Sequence, residues 1–261
     1  MVAMELRSPG GVARSLRTGR IGKEEFEMAI DKAKAWDTSM LGYADELKRI
    51  VAAYQDARIL ELGAGRRASF TLDEMAGSVQ SYTVNDIDEE ELSLLPGGYD
   101  KACFDVCGDA SNFADSYDVV FSRFLAEHVP DGETMHRNVF EVLRPGGTAF
   151  HLIPTLYAMP FLINKYMPER LTQAMLRLLS PRRSINPKFP APYSGCYANP
   201  SRMTKMLKGI GYREVEFRNF YGHFYYEKIP VLKQVHEKFS EIAADRDWHF
   251  VGTYAYIKAS R

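Results

Sequence analysis

Arg58-Ile59-Leu60-Glu61-Leu62 is a short apolar run that stops at Gly63-Ala64-Gly65. A run of this length, ending in glycines, reads as a buried strand entering a tight turn. Glycine lets the backbone come close to a ligand, and a helix N-terminus after such a turn offers free N–H groups. Taken alone, the pattern serves a cofactor loop and a plain strand-to-helix turn equally well.

The rest of the chain narrows the choice of fold. Further strand-like runs fall at 81–86, 102–106, 117–122, 148–153, 212–220 and 249–258. Helical periodicity separates many of them. Before the first strand it covers 23–36 and about 40–54, with Leu41, Ala44, Leu47, Ile50, Val51 and Tyr54 on one face of the second stretch. A helix over 131–143 is ended by Arg144-Pro145-Gly146-Gly147, a stop signal. Helices over 200–208 and 231–244 complete the series. Strands alternating with helices imply a mostly parallel sheet covered on both faces. Four stretches follow: an N-terminal helical segment (1–56), a ligand-binding core (57–154), a helical cap insertion (155–200) and the segment that completes the sheet (201–261).

Composition excludes several classes. A net charge of −1 gives no overall field that draws the chain to nucleic acid. Cys103, Cys107 and Cys196 are too few and too scattered for a disulfide framework. Without further ligands beside them they make no metal site, and free thiols fit a cytoplasmic setting. Met1 to Arg20 lacks the continuous apolar core of a signal peptide.

The residues after the first strand point to a nucleoside cofactor. Asp86 ends the second strand about 20 residues beyond the glycines, where doubly wound folds place a carboxylate on a ribose hydroxyl. Gly108-Asp109-Ala110 follows the third strand, and Asp118-Val119-Val120 lies in the fourth. Leu143-Arg144-Pro145-Gly146-Gly147 precedes the fifth. In this order, the segments from Arg58 to Pro154 resemble class I S-adenosylmethionine-dependent methyltransferases. The resemblance implies an α/β, doubly wound, seven-stranded, mostly parallel sheet whose last strand runs antiparallel.

It also implies a cofactor map. Glu61, Gly63, Ala64 and Gly65 would line the methionine and ribose side of S-adenosyl-L-methionine. Asp86 would accept from the ribose hydroxyls, and Ile87 would pack on the adenine. Asp109 would receive the adenine amino group, with the Ala110 N–H beside it. Ser122 and Arg123 would sit near the methionine part, and His128 would shape the cofactor pocket. One departure is Arg67, where the family usually has a third glycine. A nicotinamide enzyme shares the glycine loop and the ribose carboxylate, but the Gly-Asp-Ala and Leu-Arg-Pro-Gly-Gly segments favour the methyltransferase reading.

The favoured reaction is methylation of a small molecule on oxygen. Nitrogen or carbon methylation, and cofactor binding without methyl transfer, are the alternatives. Candidate bases are His223, in a Gly-flanked aromatic loop after the sixth strand, and His128; His151 reads as a core histidine. Apolar residues over 161–183 adjoin Lys165, Arg170, Arg177, Arg182 and Arg183. They read first as a lid with a solvated basic edge, and second as a helix lying on a membrane surface. No nucleic-acid partner is expected, and the oligomeric state is open.

Overall fold

The computed structural model describes residues 35–155, 191–223 and 230–261. The helix expected over 23–36 and the lid or membrane segment over 161–183 lie outside the described residues, apart from the last two residues of the former.

Seven strands form one sheet. They are β1 (Ala57–Leu62), β2 (Val79–Asp86), β3 (Asp100–Cys103), β4 (Tyr117–Arg123), β5 (Leu143–Pro154), β6 (Glu214–Phe220) and β7 (Tyr254–Ser260). Their order across the sheet is β3-β2-β1-β4-β5-β7-β6. The first five run parallel, and β7 is antiparallel to both β5 and β6. The order reverses between β1 and β4, the switch point outside whose carboxyl ends such sheets hold their ligands.

Both faces of the sheet are covered. Helices α1 (Trp36–Leu41) and α2 (Tyr43–Val51) pack on one face. Tyr43 stacks on Phe150 at 5.2 Å, and its hydroxyl donates to the Ser122 carbonyl. The short helices α3 (Leu72–Met75) and α4 (Glu89–Ser93) follow β1 and β2. Helices α5 (Gly132–Val142) and α6 (Pro200–Ile210) pack on each other and add buried Met135, Val139, Met203 and Leu207 to the core. Asp131 caps α5, and Asn199 with Pro200 starts α6, the residue types that free helical N–H groups and a fixed φ favour. Helix α7 (Pro230–Asp245) precedes β7.

Two strands fall short of their sequence patterns for the same reason. The alternation from His249 suggests a strand from there, yet β7 starts at Tyr254. Tyr254 pairs with Pro154 and Phe220, the last residues of both neighbouring strands. Upstream of it there is no ladder to join, and His249–Val251 forms a 3-10 turn. Likewise β3 ends at Cys103, opposite the last residue of β2. Cys107 therefore sits in a turn, not in the strand, and all three cysteines are free.

Candidate cofactor site

The loop after β1 is built by glycine geometry. Gly63 (φ 68°) and Gly65 (φ 54°) both adopt left-handed backbone, which costs other residues energy. A Cβ on Gly63 would lie 2.7 Å from Leu125 Cδ1, so the loops after β1 and β4 touch here. A Cβ on Gly65 would lie 3.1 Å from Asp86 Oδ2 and 3.3 Å from Glu91 Cβ. Arg67 does not share the positive φ, and its N–H closes a turn onto Ala64 O at 3.1 Å. The third family glycine is therefore dispensable in this loop.

Glu61 holds the loop from below. Its carboxylate accepts the Ser69 N–H at 2.9 Å and the hydroxyls of Ser69 and Tyr82. Burial pushes its carboxyl up, while the bonds from Ser69 and Tyr82 pull it back down. Burial and the neighbouring Glu61 push the Tyr82 hydroxyl up, so it stays protonated and donates. The structure thus places Glu61 as the loop's anchor. Ala64 is buried, and its N–H is taken by the Asn85 carbonyl at 3.1 Å.

The remaining mapped residues gather along the same edge. Asp86 is half-buried, with Oδ1 accepting the Asp88 N–H at 3.1 Å and Oδ2 facing Gly65. Ile87 is 68% exposed, an apolar surface a flat ring can cover. Asp109 is exposed and accepts the Ser111 N–H at 2.9 Å, which holds its carboxyl below the usual range. Ala110 is buried beside it. Asn138 on α5 fixes this loop by donating to the Val106 and Gly108 carbonyls at 3.0 and 2.7 Å.

At the end of β4, Ser122 points into the core, where its hydroxyl bonds His151 Nδ1 at 2.8 Å. Arg123 is exposed, with its guanidinium 5.9 Å from the Tyr43 ring centroid. Phe124 has φ 57°, a rare value for an aromatic residue, and this bend turns the following residues over the glycine loop. The sequence profile of a family described as "Methyltransferase domain" matches residues 60–151, which span β1 through most of β5.

Residues 60–151 thus carry the sequence signature of a methyltransferase domain. Solved structures agree on the fold. A SAM-dependent methyltransferase from Archaeoglobus fulgidus aligns at TM-score 0.51 and 14% identity, over 84% of this chain and 93% of that one. One from Mesorhizobium loti aligns at TM-score 0.51 and 16% identity, over 89% and 100%. A phosphoethanolamine N-methyltransferase from Haemonchus contortus, crystallised with phosphomonomethylethanolamine and S-adenosylhomocysteine, aligns at 0.51 and 16%, over 90% of this chain and 58% of that one. No curated protein matches the sequence.

The methyltransferase domain's own residues fit S-adenosylmethionine. The backbone at Gly63 and Gly65 stays clear of side-chain atoms that a Cβ would meet. Asp86 stands next to that clearing, and Ile87 lies exposed beyond it. The two proposed bases fall in different places. His128 is exposed on the loop that touches Gly63. His223 is buried after β6, the edge strand, three strands from β4, or about 14 Å at ordinary strand spacing. Its ring stacks on His236 with centroids 4.0 Å apart, and burial pushes it down to about 3. His151 is a core histidine, fully buried. The described residues hold no cluster of three or more His, Cys, Asp or Glu able to bind a metal, and no helix among them is long and apolar enough to cross a membrane.

The sequence reading missed one acidic residue at the site. Glu127 is 6% exposed, and its Oε2 finds no hydrogen-bond partner among the described residues. The residue was visible within Ala126-Glu127-His128-Val129. Its burial was not, because burial is set by tertiary packing. Tyr193 N–H donates to the Glu127 carbonyl at 3.1 Å. The Ser194 hydroxyl accepts the Gly132 N–H at 3.0 Å. Gly132 permits that approach, since a Cβ there would sit 2.2 Å from the Ser194 carbonyl oxygen.

Proposed function

We propose that the domain transfers a methyl group to a hydroxyl oxygen of a small-molecule acceptor. The observation that carries this reading is the position of His128. It is exposed, three residues beyond Leu125, whose side chain meets the Gly63 position.

Bound S-adenosylmethionine would supply an electrophilic methyl group on a sulfonium. Gly63, Gly65, Asp86, Ile87, Asp109 and Ala110 would hold and orient it, and Ser122 and Arg123 would border its methionine end. His128 would take the acceptor's proton as the new bond forms and pass it to solvent. An imidazole near neutral pH suits that task. His223 is the weaker candidate, because it is buried against His236 after the edge strand, and a ring that burial pushes down to about 3 is a poor proton acceptor. The absence of any large charge imbalance supports a small acceptor over nucleic acid. The Haemonchus protein of similar fold was crystallised with a small phosphorylated amine, which supports a small acceptor.

Nitrogen methylation is the second reading, since an unprotonated amine needs less help from a base. Paired acceptors, each offered as the alcohol and as the matching amine, separate the two when S-adenosylhomocysteine formation is measured. Turnover is expected with alcohols and should fall when His128 is replaced by Asn. Turnover with amines alone, unchanged in that variant, would overturn the oxygen assignment.

A further inference from the structure

Arg66, the residue after Gly65, makes a bidentate bridge to Glu91. Its Nε donates to Oε2 at 2.6 Å, and a terminal nitrogen of the guanidinium donates to Oε1 at 2.5 Å. The bridge joins the loop after β1 to α4, the short helix after β2. The two side chains are 48% and 35% exposed, and a pair this open contributes little to folding. Its place in the fold is the informative part.

The Gly65 backbone is wedged between two carboxylates. A Cβ there would lie 3.1 Å from Asp86 Oδ2, 3.3 Å from Glu91 Cβ and 3.5 Å from Glu91 Oε2. Like charges gathered at one point oppose each other's ionisation. The Arg66 guanidinium takes both oxygens of Glu91 and holds that carboxyl below the usual range. Its planar fork matches a carboxylate in a way that a lysine cannot. On the far side, Asp86 Oδ1 accepts the Asp88 N–H at 3.1 Å, and Asp88 Oδ1 accepts the Glu91 N–H at 3.3 Å. The contacts close a ring that runs from Gly65 and Arg66 through Glu91, Asp88 and Asp86 back to Gly65.

We propose that Arg66 is a positioning residue for cofactor binding: its bridge to Glu91 holds Gly65 against Asp86 and neutralises the second carboxylate beside the ribose acceptor. This rests on the reading of Asp86 as the acceptor of the ribose hydroxyls, and it adds a residue that acts through Glu91 and not on the ligand. Without the guanidinium, Glu91 is a bare anion next to Asp86. The two carboxylates then push apart, and Gly65 and the ribose acceptor lose their register. Without both charges there is no repulsion, and only the clamp is gone. The effects of the two substitutions are therefore coupled.

The test is a double-mutant cycle of Arg66→Gln, Glu91→Gln and the two together. Calorimetric titration reads it with S-adenosylhomocysteine and with 5′-methylthioadenosine, which keeps the ribose and lacks the amino-acid end. Arg66→Gln should weaken both ligands alike, by about fivefold, the upper end for an exposed ion pair. Once Glu91 is replaced, removing Arg66 should cost little more. Arg66→Lys, which keeps the charge without the fork, should recover part of the loss. Thermal unfolding of each variant verifies that it is folded, with a melting temperature close to the wild type's. Losses that add in the double variant would overturn the proposal, because Arg66 would then act on the ligand itself. So would a loss confined to S-adenosylhomocysteine, or equal affinities in the wild type and Arg66→Gln. No binding of either ligand by the folded wild type would overturn the cofactor reading beneath it.

Discussion

Acidification from pH 6.5 to about 4 is expected to remove several kcal/mol of folding stability. Three fully or nearly fully buried histidines cause this. Burial pushes His136 from 6.5 down to about 4, and His151 well below 6.5. It pushes His223 down to about 3. In each case the unfolded chain takes up a proton that the folded chain refuses. Stability present above pH 6.5 is therefore lost as the pH falls. His136 alone accounts for about 3 kcal/mol.

Glu127 acts in the opposite sense. Its folded value, about 8, lies above the ordinary 4.5. Its contribution is full below pH 4.5 and is lost as the pH rises through 8. The histidines govern the acid limb, while Glu127 and Glu61, whose carboxyl burial also pushes up, act against them, so maximum stability is expected near pH 6.5. Melting temperatures from pH 4 to 9 measure the profile. His136→Phe should flatten the acid limb, and Glu127→Gln the alkaline one. A wild-type profile flat across this range would contradict the burial argument.

Glu61→Ala is expected to cost about 3 kcal/mol of stability, and to weaken cofactor binding beyond what that loss alone explains. The carboxylate accepts from the Ser69 N–H, the Ser69 hydroxyl and the Tyr82 hydroxyl, and Tyr82 is 3% exposed. Removing the acceptor strands buried donors at about 1–3 kcal/mol each, and leaves a cavity besides. The loop from Gly63 to Phe70 then loses the bond that folds it back onto β1. Chemical denaturation reads the first effect, and titration with S-adenosylhomocysteine below the melting temperature reads the second. Unchanged binding in a folded Glu61→Ala protein would show that the loop does not depend on this anchor.

Much of this was legible in the sequence, because the first half of the chain is governed by local rules. Leu62-Gly63-Ala64-Gly65 needs glycine torsions whatever surrounds it, and Asp86 falls where a parallel neighbour must end. Strand lengths were less legible. Tyr254 begins β7 only because Pro154 and Phe220 end opposite it, and no alternation pattern carries that information. Helix α2 is shorter than its periodicity because Ala52–Tyr54 turn away from it. Arg67 looked like a defect in the glycine loop until its φ proved ordinary. His223 looked accessible between Gly222 and a run of aromatics, yet the packing of α7 buries it against His236. Glu127 went unnoticed because its burial is set by packing that its neighbours in the chain do not reveal. Local chemistry is readable from neighbours in the chain, whereas burial of a loop carboxylate is a tertiary fact.

The central claim is that the crevice between β1 and β4 binds S-adenosylmethionine. Calorimetric titration of the folded protein, beside Asp86→Ala, tests it most directly. One site per chain with micromolar affinity is predicted, weakened about 10- to 100-fold when the ribose acceptor is removed. No heat from a folded wild type, or equal affinity in Asp86→Ala, would contradict the account.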